Sequence, residues 1–96
     1  MEPRIYVDFN EMVSDDVVLL SKTDSKMDSS GHMVTFIEGQ AVAVYMDDLD
    51  ENGNPDPLLA DGVAMRNRIT AGWGAIARWV LKIDGRGIRH SSEEFT

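Results

Sequence analysis

The sequence predicts an all-β fold, a small SH3-like antiparallel barrel of five or six strands with one long acidic hairpin loop. Three observations lead to this prediction. A chain of 96 residues buries about 60–65% of its unfolded surface, enough for one modest core. Short runs alternate apolar and polar residues, as half-buried strands do, and glycine-containing turns separate them. Closing such a sheet hides its edges, so we expect one barrel over residues 1–90 and a flexible acidic tail at 91–96.

Two strands are expected in the first third of the chain. Residues 4–9 alternate between apolar and polar side chains, and such alternation places the apolar ones on one face of a strand. These apolar residues are Ile5, Val7 and Phe9. A short apolar run at 17–20 has the length of a second strand. The polar stretch 21–32 follows, and its composition is typical of a mobile loop.

Three further runs suggest strands in the middle of the chain. Residues 33–37 form a short one, and residues 40–46 form the clearest, because β-branched residues favour the pleated geometry. In the latter, Val42, Val44 and Met46 share one face. A third run begins at Asp61 and ends at Arg66, and we expect its Val63 and Met65 to point inward.

The segment 71–81 has two interpretations. Its apolar residues partly fit helical spacing, but Gly72 and Gly74 would each cost about 1 kcal/mol inside a helix. From residue 76 a strand-like alternation is cleaner. The residues on its apolar face are Ala77, Trp79, Leu81 and Ile83. We therefore expect a loop, a strand over 75–84, a turn, and a short final strand at 88–90.

An acidic loop is the most informative feature for function. Five carboxylates fall within ten residues between two predicted strands. They belong to Asp47, Asp48, Asp50, Glu51 and Asp56. A loop of this length is longer than most hairpin connections, and such loops often carry function. These residues are candidates for binding a protein partner with a basic surface.

The same loop also has the spacing of a calcium site. Calcium takes six to eight oxygen ligands, and this segment offers side-chain or carbonyl oxygens at alternate positions, with Gly53 at the sharp turn. The candidate ligands are Asp48, Asp50, Asn52, Asn54 and Asp56. An EF-hand would need glutamate at the twelfth position, where this chain has Leu59. A solvated hairpin loop without a metal is the favoured interpretation.

Charge is divided unevenly along the chain. Residues 1–61 carry 3 basic and 14 acidic side chains, a net of −11, whereas residues 62–90 carry 6 basic and 1 acidic, a net of +5. With two glutamates in the tail, the total is −8. The simpler interpretation is that the acidic and basic side chains of the two halves neutralise each other's charge in the fold. The alternative is a nucleic-acid surface that combines cations with a stacking ring, formed by Arg66, Arg68, Trp73, Arg78 and Lys82.

Composition excludes several other classes. The chain has no cysteine, which excludes disulfides and cysteine–zinc sites. It has no apolar run near the roughly 18 residues of a membrane span, and we expect no signal peptide. His32 and His90 lack local metal-ligand partners, and no nucleophile stands beside a base. We therefore expect a non-enzymatic, cytoplasmic and monomeric protein with no resident cofactor.

The order of several segments resembles a family of small bacterial proteins of about this length. The resemblance rests on the segments 6–10, 18–20, 38–40, 44–49, 60–63, 79–84 and 87–90. It implies a small soluble bacterial β-domain and no particular activity, since none is established for that family. Separately, the nine residues 48–56 are similar to the calcium loops of β-propeller repeats.

These considerations predict a protein-interaction module with an acidic surface. Two alternatives from other classes stay open. One is a structural module stabilised by calcium at the acidic loop. The other is a small barrel that contacts RNA through its basic strand, an activity that the acidic remainder of the chain would oppose.

Overall fold

The computed structural model describes residues 2–95, and only the backbone of 94 and 95. Strands dominate these residues. They are β1 (Ile5–Tyr6), β2 (Met12–Ser14), β3 (Val17–Ser21), β4 (Ser25–Met27), β5 (Met33–Thr35), β6 (Ala41–Met46), β7 (Leu58–Arg66), β8 (Trp79–Ile83) and β9 (Arg89–His90). Two 3₁₀ helices, Trp73–Ile76 and Ser91–Phe95, complete the secondary structure of the described chain. The all-β prediction is confirmed, with more and shorter strands than expected.

The main sheet is mixed and open. Its strand order is β1-β6-β7-β8-β3-β2, and β9 pairs with the start of β7. The β1–β6 pairing is parallel and the others are antiparallel. Because β1 and β2 end the sheet without pairing to each other in the described chain, the closed antiparallel SH3-like barrel is not confirmed.

The predicted apolar faces of three strands are confirmed by burial. Ile5, Val7 and Phe9 are buried, as are Val42 and Val44 of β6. On β8 the predicted face is buried as well, including Trp79 at 2% and Leu81 at 0% exposure. The opposite face of β8 is covered at Val80, which packs with Leu19 in a second apolar cluster, whereas Lys82 is exposed. Ala77, predicted on the face of Trp79, belongs to this second cluster instead.

The inward face of β7 was predicted wrongly. Val63 and Met65 are more than one-third exposed, and the small Ala64 between them is fully buried. Small residues are needed here because the neighbouring strand passes very close to β7. A Cβ at Gly62 would collide with the backbone carbonyl of Lys82 on β8.

The polar stretch expected to be a mobile loop contains a strand. β4 pairs with β5 in a separate two-stranded sheet, with Met27 opposite Met33. The turn is held by the Asp28 carboxylate, which accepts the backbone N–H groups of Ser30 and His32 at 2.9 and 3.0 Å. Only β5 falls within a predicted strand, at 33–37, whereas β4 lies in a mainly polar stretch with no apolar alternation.

The glycine-rich segment before β8 forms one short 3₁₀ helix, Trp73–Ile76, and no amphipathic helix. Gly72 precedes this helix with φ +78°, a backbone conformation that suits glycine. The strand expected over 75–84 is present but begins only at Trp79.

Arg4 fastens the first strand to the sheet. The alternation placed it with the polar face, yet it is only 3% exposed. Its Nη1 donates to the carbonyls of Val44 and Ala60 at 3.1 Å each and lies 3.2 Å from Oδ1 of Asp61. A guanidinium suits this position because it presents several donors in a fixed geometry.

The end of the chain folds back onto the acidic loop. Where a flexible tail was predicted for 91–96, Ser91–Phe95 is a 3₁₀ helix, and the Ser91 N–H donates to the carbonyl of Pro57 at 2.8 Å. Thr96 lies outside the described residues. No helix within residues 2–95 is long and apolar enough to cross a membrane.

Candidate functional site: the acidic loop

The acidic loop, residues 47–57, is a hairpin held by one of its own carboxylates. Oδ1 of Asp50 accepts the backbone N–H groups of Asn52 and Asn54, both at 2.9 Å. The backbone N–H of Asp50 in turn donates to the carbonyl of Asn54 at 2.8 Å. Gly53 takes the turn with φ +81°, a conformation in which a Cβ would be strained. Local hydrogen bonds of aspartate to nearby backbone groups are what stabilise such turns.

Two further carboxylates join the loop to the C-terminal segment. Oδ2 of Asp48 lies 3.0 Å from Nε2 of His90 on β9. Asp56 is almost fully buried, and it accepts the backbone N–H of Ser92 at 3.0 Å and the Ser92 hydroxyl at 2.8 Å. His90 also places Nδ1 3.4 Å from Oε1 of Glu93. We call the pair formed by Asp48 and His90 the loop latch.

The latch shifts the pKa values of both of its partners, Asp48 and His90. The hydrogen bond from His90 holds the pKa of Asp48 below its ordinary value, and the same bond raises the pKa of His90. The N–H of Ser92, followed by its hydroxyl, lowers the pKa of Asp56. All three shifts favour the charged forms, because each charged group gains a hydrogen-bond partner.

Three neighbouring side chains are left pointing outward. Asp47 and Glu51 are exposed, and no basic side chain among residues 2–93 forms an ion pair with either. Leu49 between them is 59% exposed, although its backbone bridges to Pro55 across the hairpin. The loop thus presents one apolar side chain flanked by two uncompensated negative charges.

The structure does not gather the candidate calcium ligands into one cluster. Within residues 2–93, whose side chains the structure describes, no group of three or more His, Asp or Glu side chains is arranged to hold a metal. Asp50 accepts hydrogen bonds from its own loop, whereas Asp48 and Asp56 contact the C-terminal segment. Asn52 and Asn54 are exposed, and they donate their backbone N–H groups to Asp50.

The basic residues of the nucleic-acid candidate set lie against acidic partners. Lys82 forms an ion pair with Asp16, and Arg78 places Nη1 3.0 Å from Oδ2 of Asp24. Arg68 pairs with Glu38 at 3.1 Å. In each of these three ion pairs the acidic and the basic partner come from opposite halves of the chain, as the neutralisation interpretation expects.

The remaining two members of the nucleic-acid candidate set, Arg66 and Trp73, differ in their contacts. The guanidinium carbon of Arg66 lies 4.9 Å from the centre of the Trp79 ring, a cation–π contact. Its backbone N–H donates to Glu38 at 2.9 Å. Trp73 is 58% exposed in the 3₁₀ helix, so it is the one described aromatic side chain of this set that is open to a stacking ligand.

His90, Ser92 and Asp24 were missed by sequence reasoning. The histidine looked solvated, the serine lay in a presumed tail, and the aspartate lay in a presumed loop. Each meets its partner across a separation of more than thirty residues. No local pattern signals such pairs.

The fold and the site together define a small all-β domain with an outward-facing acidic loop held by hydrogen bonds. No family model, no curated protein and no solved structure matches the chain.

Proposed function

We propose that the protein is a non-enzymatic interaction module whose acidic loop docks on a basic surface of a partner protein. The observation that carries the proposal is the outward-facing group Asp47, Leu49 and Glu51 on a hairpin fixed by its own hydrogen bonds. An apolar anchor with a charged rim is the usual anatomy of a small interface.

Preorganisation supports this role. Asp50, Asp48 and Asp56 hold the loop to itself and to the C-terminal segment. A loop that is already ordered loses less conformational entropy when it binds. The two free carboxylates then contribute long-range attraction to a basic partner, which increases the association rate and weakens with salt.

The distribution of compensated charge favours this proposal over the RNA-contacting alternative. Lys82, Arg78 and Arg68 already contact carboxylates, so a phosphate backbone would have to compete with those ion pairs. The carboxylates of Asp47 and Glu51 have no such partner among the described residues. Two of the negative charges that make up the −8 net charge are therefore available at the loop.

The test is capture of a partner from a lysate of the source cells by immobilised protein. We expect capture that survives nuclease, weakens with salt, and is lost in the double variant Asp47→Asn/Glu51→Gln and in Leu49→Ala. The matched control is Glu11→Gln/Asp15→Asn, which removes two charges away from the loop and should retain the partner. Equal loss in control and loop variants, or loss on nuclease treatment, contradicts the proposal.

A further inference from the structure

A concave pocket of about 330 Å³ opens between the ends of β1 and β3. It contains no residue of the acidic loop. Its apolar wall is formed by Val7, Leu19, Leu20, Ile76 and Ala77. Its charged lining consists of Asp8, Glu11, Lys22 and Lys26. Apolar walls with a few convergent polar groups are typical of small-molecule sites, and this volume lies at the small end of their range.

Lys26 extends from β4 into this pocket. Its side chain bridges the ends of β1 and β3. Its Nζ donates to the carbonyl of Tyr6 at 2.6 Å and to the carbonyl of Leu20 at 3.3 Å. Leu20 is the extra residue of a β-bulge, because Leu19 pairs with Val80 and Ser21 with Trp79. Two of the three ammonium protons therefore hold the strand ends, and one more can be donated.

The charge of Lys26 is not neutralised by contact. No carboxylate of the described chain lies within ion-pair distance of its Nζ, whereas Lys82 and Arg78 each contact one. Burial lowers the pKa of Lys26, and the charge of Glu11 raises it from a distance. Lys26 and Glu11 thus line one pocket with opposite charges that do not touch. A half-buried charge in this situation gains from a counter-charge brought by a ligand.

We propose that the pocket binds a small zwitterion with an apolar body, the chemistry of an apolar α-amino acid. The ligand carboxylate pairs with Lys26, its ammonium pairs with Glu11, and its apolar side chain packs on the wall around Leu19. Lys22 and Asp8 add a second positive and a second negative charge to the lining, so the four lining charges sum to zero. A neutral zwitterion preserves that balance, whereas a simple carboxylate or a simple amine disturbs it.

The experiment is an NMR titration of the intact protein with three probes of one shape. Leucine carries both charges, isocaproate lacks the ammonium, and isoamylamine lacks the carboxylate. We expect saturable shifts with leucine at the methyl groups of Leu19, Leu20 and Ile76, with a dissociation constant of about 1 mM, the scale for a ligand of fewer than ten non-hydrogen atoms. The other two probes should bind at least about tenfold more weakly, since each lacks one charged hydrogen bond.

Variants separate the site from a general charge effect. Lys26→Met keeps an apolar stem and should weaken leucine binding at least about tenfold, and Glu11→Gln should weaken it similarly. Lys82→Met, which removes a cation of β8 outside the pocket, should leave the affinity unchanged. If Lys26→Met does not fold, Glu11→Gln and the three-probe comparison still decide.

Several results overturn the proposal. Absence of saturable shifts with leucine at about 20 mM, far above the expected dissociation constant for its size, would remove the site. Equal affinity for isocaproate or isoamylamine would exclude recognition of the zwitterion. Stronger binding of a pentapeptide blocked at both ends would show instead that the gap between β1 and β3 accepts an added strand.

Discussion

The indole Nε1 of Trp79 donates a 3.0 Å hydrogen bond to Oδ1 of Asp24, 55 residues earlier in the chain. This bond fixes the loop between β3 and β4 against the central strand β8. Trp79 also packs against Phe36, with ring centres 6.0 Å apart. The same indole therefore joins the main sheet to the separate hairpin, which continues from β5 into Phe36. The bond also lowers the pKa of Asp24.

The first prediction concerns this indole. Trp79→Ala should reduce the free energy of unfolding by about 3–5 kcal/mol, because it leaves a large cavity at a residue with 2% exposure. Trp79→Phe should cost about 1–2 kcal/mol, mainly the lost hydrogen bond to Asp24. Urea denaturation measures both. Trp73→Ala, at an exposed tryptophan, is the control and should change stability by less than about 0.5 kcal/mol.

The second prediction concerns the loop latch. Asp48→Asn should lower the pKa of His90, measured by NMR titration of its imidazole, because it removes the main cause of the upward shift. Asp47→Asn removes a neighbouring carboxylate that does not contact His90, and it should have a much smaller effect. Equal effects of the two variants would mean that general charge, and no specific latch, sets this pKa.

The latch also predicts a pH window for stability. His90 has a folded pKa raised above the ordinary 6.5, so its contribution is complete below about pH 6.5 and is lost as pH rises through the folded value. Asp48 has a folded pKa below the ordinary 3.8, so its contribution is present above that value and is lost as pH falls through the folded one. The latch should stabilise most between these limits. Unfolding curves of wild type and Asp48→Asn across pH 3–9 should differ most inside this window.

The third prediction concerns the buried cation Arg4. Arg4→Met should cost about 2–4 kcal/mol, because it removes a buried guanidinium that donates to the carbonyls of Val44 and Ala60 and to the Asp61 carboxylate. Arg86→Met removes an exposed partner of the same Asp61 carboxylate and should cost less than about 1 kcal/mol. Thermal or urea unfolding compares them. A similar cost for both would indicate that Arg4 acts only as one surface charge among several.

The Asp61 carboxylate is the shared partner of several arginines, and its pKa reflects their combined effect. Partial burial raises its pKa, but the hydrogen bond from Arg89 and the charges of Arg4 and Arg86 outweigh burial and leave the pKa lowered. Its stabilising contribution should therefore be present above about pH 3.8 and decline as pH falls through the lowered value.

The fourth prediction concerns the close approach of β7 and β8. Gly62→Ala should destabilise by about 1–3 kcal/mol or more, because the new methyl group meets the Lys82 carbonyl and forces the backbones apart. Gly85→Ala, whose Cβ would meet nothing within 4 Å, is the matched control and should be nearly neutral. A neutral result for both variants would contradict the observed pairing of these strands.

The fifth prediction addresses calcium. Asp50 already uses its Oδ1 to hold the loop, so we expect amide shifts over 48–56 to respond equally and without saturation to calcium and magnesium. A true site would add about 2.7 kcal/mol of stability at a hundredfold excess of calcium over its Kd. Saturable shifts with calcium alone, accompanied by such a gain, would restore the calcium-module hypothesis.

The parts of the fold that the sequence could predict are those set by local alternation. The buried faces of β1, β6 and β8 follow from a period of two with large apolar residues. The same rule misplaced Val63 and Met65, because it assigns the larger apolar residues to the buried face. On β7 the small Ala64 is buried instead, and β8 leaves no room for a Cβ at Gly62.

What could not be predicted depends on partners distant in the chain. Arg4 meets Asp61, and Lys26 meets the carbonyls of Tyr6 and Leu20, across separations that no spacing rule connects. The strand β5 was expected within residues 33–37, but its partner β4 was missed because it lies in a stretch of mainly polar residues. In the acidic loop the composition was informative, but the latch to His90 required the folded chain.

The pairing of β3 with β8 has a consequence for synthesis of the chain. β3 ends at Ser21, and its partner β8 begins only at Trp79. During synthesis on the ribosome, almost sixty further residues are therefore translated before the strand that pairs with the apolar run Val17–Leu20 exists. Such an exposed β-prone run is where chaperones bind or chains associate.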